Sequence, residues 1–113
     1  MTPPHPVDAR IVERLFDLIR GRRGGDPEQS YTARLFAQGR ATIARKTGEE
    51  AIETVVAALD GGAEQLTKES ADLLYHLLVL WADAGVAPED VWRELARREG
   101  VSGLAEKAAR GKP

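Results

Sequence analysis

A chain of 113 residues suffices for one domain with a real core but not for two, and its lack of cysteine removes disulfides, thiolate metal sites and cysteine nucleophiles. Its 16 basic residues are balanced by 18 acidic ones, a formal charge of −2, which argues against a general nucleic-acid binder. The longest apolar run is well short of the ~20 residues a membrane span needs, and Met1-Thr2-Pro3-Pro4-His5 has no stretch resembling a signal peptide, so a soluble cytoplasmic protein is expected.

Apolar residues at Ile11, Val12, Leu15, Phe16, Leu18 and Ile19 predict an amphipathic helix over Asp8 to Arg20. Gly21-Arg22-Arg23-Gly24-Gly25 then reads as a flexible basic loop, and Ser30-Tyr31-Thr32 opens a short helical stretch through Leu35 and Phe36, broken at Gly39. A first long helix is expected from about Arg40 to Asp60, closed by Gly61-Gly62, and a second from about Ala63 to Ala84, stopped by Gly85. Pro88 suits the first turn of a further helix with Val91, Trp92, Leu95 and Ala96 as its inner face. Ser102 can cap a last short one to about Arg110. No segment alternates with period two. The expected fold is a single all-α domain over 1–113, a helical bundle with two long helices packed as an antiparallel pair.

Two acidic clusters stand on those long helices: Glu49-Glu50-x-x-Glu53 and Glu69-x-x-Asp72. With Ile52 at zero on a helical wheel, Gly48, Val55, Val56 and Leu59 form the apolar stripe within roughly 60°. Glu49, Glu53, Lys46 and Glu50 follow at roughly 60°, 100°, 120° and 160°, so the first acidic strip is expected to begin at the edge of the buried face. On the second helix Glu69, Asp72 and His76 share a narrow strip flanked by apolar residues on both sides, within a helix apolar nearly all round. Such a helix is buried by other helices, those of a second subunit included.

Five acids in that setting need neutralising or pairing. Lys46, Arg45 and Lys68 can supply part of it but are outnumbered. Facing strips of carboxylates can form an all-oxygen site for Mg²⁺ or Mn²⁺. Glu49 or Glu50 alone also fits an ordinary surface acid. His76 fits a hydrogen-bonded core histidine, one turn from Asp72 and able to orient it. Trp81 and Trp92 fit packing. Arg22, Arg23, Arg40, Arg45, Arg97, Arg98, Lys107 and Arg110 are candidates for phosphate contacts, although basic residues at helix ends commonly balance the helix dipole.

The ordered set SYT at 30–32, Gly39, KxGEEAxE at 46–53 and ExADLLYHxLVL at 69–80 resembles the phosphoribosyl-ATP pyrophosphatase family of histidine biosynthesis. The acidic part alone resembles the wider MazG-like all-α nucleoside triphosphate pyrophosphohydrolase superfamily. The match covers roughly residues 28 to 98. It implies Mg²⁺-dependent hydrolysis of 1-(5-phosphoribosyl)-ATP to 1-(5-phosphoribosyl)-AMP and pyrophosphate by a homodimer. By motif position it implies Glu50, Glu53, Glu69 and Asp72 as metal ligands and Glu49 in or beside that shell, our choice for general base. Lys46 would lie near a phosphate, with Arg45, Ser30 and Thr32 as further substrate contacts, although helix capping explains Ser30 and Thr32 equally well. At this length the cyclohydrolase domain often fused to this activity is absent, so a stand-alone form is expected. Competing readings are a house-cleaning pyrophosphohydrolase acting on ordinary or damaged nucleotides, a non-catalytic helical dimerisation module, and, disfavoured by charge, a nucleic-acid-binding helical protein.

Overall fold

The computed structural model describes residues 5–111; the Met1 to Pro4 start discussed above and the last two residues lie outside the described part. Six α-helices follow one another among the described residues: α1 (Ile11–Gly21), α2 (Tyr31–Gln38), α3 (Arg40–Val56), α4 (Gly62–Ala84), α5 (Pro88–Arg98) and α6 (Gly103–Ala109). No strand occurs among the described residues, so the all-α expectation holds.

Local chemistry explains most of the boundaries. The Ser30 hydroxyl accepts the Ala33 backbone N–H at 3.1 Å and so fixes the start of α2. Ser102 does the same for α6 through Ala105 at 3.0 Å. Gly39, at φ +97°, lets α2 end and α3 begin without an intervening loop. The first long helix ends earlier than Asp60: α3 passes at Ala57–Gly61 into one wide π-helical turn, and Gly62 at φ +78° reverses the chain.

The helices α3 and α4 form an antiparallel hairpin. Its register shows in the pairs that meet across it: the Thr54 hydroxyl donates to the Glu69 carbonyl at 3.2 Å and to the Glu50 carbonyl of its own helix at 2.8 Å. Near the base of the hairpin, Ile43 and Val79 are fully enclosed and share a core with Phe16 and Ile19 of α1, Leu35 of α2 and Leu78 and Ala82 of α4. Each of the larger aliphatic side chains there contributes about 1.5–3 kcal/mol by leaving water.

The buried face of α3 is not the one its hydropathy suggested. Ile43 and Ala57 are buried, and Thr47, Glu50 and Thr54 between them are half-buried, at intervals of three and four residues. Ile52, Val55, Val56 and Leu59 instead face outward, at 67%, 58%, 51% and 79% exposure. Threonine tolerates the packed side because its hydroxyl is satisfied within its own helix: Thr47 donates to the Ile43 carbonyl at 2.9 Å, as Thr54 does to Glu50. The apolar stripe is thereby left without a partner in the single chain.

The basic loop after α1, read from sequence as flexible, is fastened. Arg23 donates to the Ala82 carbonyl at 3.2 Å and lies over the Phe36 ring, while Asp83 accepts from Arg40 at 2.8 Å and faces Arg23 at 3.7 Å. The helix α5 docks on α1 chiefly through Trp92, whose indole N–H donates to Glu13 at 2.7 Å and whose ring meets Trp81 edge-on. Leu95 and Ala96, expected on its inner face, are exposed. The last helix is held by one acid: Glu106 is buried and accepts from Arg97 at 2.7 Å, with Arg98 and Arg110 farther off.

Candidate metal centre

Halfway along the hairpin the two arms bring three carboxylates together. Oxygens of Glu50 from α3 and of Glu69 and Asp72 from α4 all lie within 4.8 Å of one another. Glu50 is the interior member, because it stands on the packed face of α3 between the two threonines. One of its oxygens, Oε2, is buried without any hydrogen-bond partner. Burial pushes the Glu50 carboxyl above its ordinary value, and the neighbouring Glu53 and Asp72 carboxylates push it the same way. Glu69 is half-buried and accepts from the Gln65 amide at 3.3 Å, while Asp72 is exposed.

Two of the three cations expected to pair these acids go elsewhere, and the third, Lys46, makes no ion pair among the described residues. Arg45 sits on Glu49 at 3.2 Å and Lys68 on Glu64 at 3.4 Å. Among the described residues, none of the three clustered carboxylates is in an ion pair. A buried oxygen with no donor, in a group of uncompensated acids, fits a hard divalent cation with oxygen ligands such as Mg²⁺ or Mn²⁺.

A hydroxyl-rich wall backs the centre. His76 is buried and its Nδ1 lies 2.8 Å from the Asp72 backbone carbonyl, which can only accept, so Nδ1 carries the proton. Nε2 of a neutral ring is then the acceptor for the Tyr31 hydroxyl at 2.9 Å. His76 thus braces the backbone of the Asp72 turn rather than the carboxylate itself. Burial raises the Tyr31 phenol above its usual value, helped by the negative charges of Glu50 and Glu49 nearby. Beside it, the buried Thr32 hydroxyl is hydrogen-bonded to the Tyr75 phenol.

Of the residues singled out in the sequence, Glu50, Glu69 and Asp72 converge. Glu53 lies beside Glu50 and is exposed at the rim of the hairpin's outer groove. Glu49 and Arg45 form an exposed pair one turn away. Lys46 is half-buried on the same helix, Ser30 is occupied as a cap, and Thr32 is turned inward onto Tyr75. Arg23, Arg40, Arg97, Arg98 and Arg110 are all engaged with carboxylates. Sequence reasoning treated Tyr31 and Tyr75 only as motif letters and passed over Thr54. The signal for Thr54 was the spacing of Ile43, Thr47, Glu50, Thr54 and Ala57 along one helix face.

Comparison with known proteins points the same way. Residues 12–99 match the family model described as phosphoribosyl-ATP pyrophosphohydrolase. A phosphoribosyl-ATP pyrophosphatase of Paramagnetospirillum magneticum is 62% identical over 105 residues, covering 93% of this chain and 96% of the relative. Proteins of the same name from Gluconobacter oxydans and Azospirillum brasilense are 59% and 57% identical, over 90% and 92% of this chain and 77% and 94% of their own lengths.

Proposed function

The chain belongs to the phosphoribosyl-ATP pyrophosphohydrolase family, and from that premise we propose how its acidic hairpin serves the family's reaction. The activity is hydrolysis of the α–β phosphoanhydride of 1-(5-phosphoribosyl)-ATP, giving 1-(5-phosphoribosyl)-AMP and pyrophosphate, a step of histidine biosynthesis. The single observation that carries the mechanistic reading is the Glu50, Glu69 and Asp72 group with its buried, unpartnered Glu50 oxygen.

Glu50, Glu69 and Asp72 are the residues that would hold Mg²⁺, with Glu53 alongside Glu50 as the fourth carboxylate. Bound there, the ion would offset the triphosphate's charge, which bare carboxylates repel, and acidify a water. The residues of the chain do the rest. Thr54 ties the Glu50 and Glu69 turns together across the hairpin, so the ligands are set before substrate arrives. His76 fixes the backbone at Asp72. In this reading Glu49, exposed and paired with Arg45, accepts the proton of the attacking water, and Lys46 on the same helix contacts a phosphate oxygen. No nucleophilic side chain is required.

The working protein is a homodimer in this reading. Ile52, Val55, Val56 and Leu59 make an outward apolar stripe on the very helix that carries Glu50 and Glu53, and a second copy would remove it from water. No described helix is long and apolar enough to cross a membrane, which is compatible with a cytoplasmic enzyme. The test is pyrophosphate release from phosphoribosyl-ATP, with ATP and dTTP in parallel, each with and without Mg²⁺. Mg²⁺-dependent release from phosphoribosyl-ATP, abolished in Asp72→Ala and Glu53→Ala variants that still fold, is the expected result. Near-native turnover in either variant would overturn the ligand assignment. Equal release from all three nucleotides would overturn the substrate.

A further inference from the structure

Beside Tyr31 lies a cavity of about 270 Å³ between the end of α1, the loop after it, the start of α2 and Tyr75. Leu15 and Leu18 give it an apolar wall, Tyr31 and Tyr75 supply aromatic surface, and Thr32 and Arg22 supply polar groups. Two side chains link it to the acidic centre: Tyr31 lines it, and the Tyr31 hydroxyl reaches His76, whose ring holds the Asp72 turn.

The charge around this cavity is asymmetric in a telling way. Arg20 is paired with Asp17 at 2.9 Å and Arg23 with Asp83. Arg22, between them, is exposed, lines the cavity and makes no ion pair among the described residues. Its backbone N–H closes α1 on the Ile19 carbonyl at 3.0 Å. An uncommitted guanidinium over a partly aromatic hollow suits a flat heterocycle carrying a phosphate monoester. The volume, just under the ~300 Å³ where pockets for whole drug-sized ligands begin, accommodates part of a nucleotide rather than all of it.

We propose that this cavity receives the end of the substrate remote from the triphosphate, the purine against Tyr31 and the leucine wall and the second, ribosyl 5-phosphate on Arg22, and that this contact is what separates a phosphoribosylated nucleotide from plain ATP. The inference rests on the function stated above. ATP places its triphosphate on the acids equally well but has no second phosphate for Arg22, so it forgoes the charge-assisted contact. Arg22 is on this account a specificity-determining residue that acts in binding.

The experiment uses the full chain with Mg²⁺. Steady-state kinetics on phosphoribosyl-ATP, inhibition by ATP as a competitor, and calorimetric binding of the product phosphoribosyl-AMP are compared for the wild type, Arg22→Ala and Arg22→Lys. Arg22→Ala is expected to raise the KM for phosphoribosyl-ATP about tenfold or more, with the smaller part of the loss in kcat, and to weaken phosphoribosyl-AMP by a similar factor. The inhibition constant of ATP should move less than about twofold, and Arg22→Lys should restore part of the loss. An unchanged KM and product affinity in Arg22→Ala, or an equal loss for ATP, overturns the proposal. Failure confined to the Arg22 variants leaves the pyrophosphohydrolase reading standing, whereas a wild type inert toward phosphoribosyl-ATP removes both.

Discussion

Replacing Glu50 by glutamine should make the metal-free protein more stable while destroying its activity. At 4.8 Å and with the dielectric constant of water, two unit charges repel by about 1 kcal/mol. Glu50 takes part in two such pairs, with Glu69 and with Asp72, and Glu53 adds to the repulsion, so removing its charge relieves about 2 kcal/mol before salt screening and about 1–2 kcal/mol after it. Glutamine keeps the shape, and its amide can donate to the remaining acids. At roughly 5 °C per kcal/mol for a domain of this size, the melting temperature in EDTA at pH 8 should rise by roughly 5–10 °C. The sign reverses with Mg²⁺, which stabilises only a competent site, by about 2.7 kcal/mol at a hundred times its Kd. Acidification gives a second check. Because the folded protein holds the Glu50 proton above the ordinary value near 4.5, wild-type stability from this group is full below that value and is lost as pH rises through the raised one. The advantage of Glu50→Gln should therefore shrink as pH falls toward 4. Differential scanning fluorimetry across these conditions reads all three effects. A metal-free Glu50→Gln protein that melts lower than wild type at pH 8 would refute the reasoning, because the Glu50 charge would then be compensated within the chain.

Other expectations follow from the same contacts. Thr54→Val keeps the shape but deletes the hydroxyl that joins Glu50 and Glu69, so urea unfolding should show a loss of about 1 kcal/mol, with weaker Mg²⁺ binding by calorimetry; unchanged values for both would show that the bond does not position the ligands. Val55→Glu with Leu59→Glu should convert the dimer to a 12.3 kDa monomer in sedimentation velocity, and a wild type already monomeric at the same concentration would sink the dimer reading. The Arg97, Arg98 and Arg110 guanidinium groups hold the Glu106 carboxyl below its usual range, so its contribution is present above the ordinary value near 4.5 and lost as pH falls through the lowered one. Hydrogen exchange in α6 should accelerate on acidification ahead of exchange in the α3–α4 hairpin, and Glu106→Ala should give the same behaviour at neutral pH. Equal protection of α6 and the hairpin throughout would contradict this.

Much of the fold was legible because its punctuation is local. Ser30, Ser102, Pro88, Gly39 and Gly85 mark helix ends by chemistry that needs only neighbouring residues. That the two acidic clusters meet was readable from two spacings and the assumption of an antiparallel pair, but the interior place of Glu50 was not: the wheel set it roughly 160° from the expected buried face, and only the family resemblance made it a ligand. The packed face of α3 was not, because a hydropathy wheel assigns the most apolar arc to the interior. Here the hydroxyls of Thr47 and Thr54 are absorbed by their own helix, and the apolar arc is left outside. Leu95 was misplaced for a related reason: α5 is anchored through the Trp92 hydrogen bond to Glu13, so its aliphatic residues need not face inward. Which arginines are free was beyond sequence altogether, since Arg22, Arg23 and Arg40 differ only in whether the fold brings Asp83 to them.

The wide turn at the tip of the hairpin bears on which sequences can replace this one. Glu50 meets Asp72, and Thr54 meets Glu69, only because the number of residues between the arms is fixed. Adding or removing one residue there would rotate an arm by about 100° and slide it by about 1.5 Å, which separates the acids without harming either helix. Exposed tip positions such as Ala58, Ala63 and Glu64 should accept most substitutions. Gly62, at positive φ, should not, and Gly61 has little room, since a Cβ there would stand 2.9 Å from that of Gln65. The exposed tip is thus free in composition but closed in length, so a deletion scan across 57–62 should be uniformly inactive where substitution of Ala58, Ala63 or Glu64 is nearly silent.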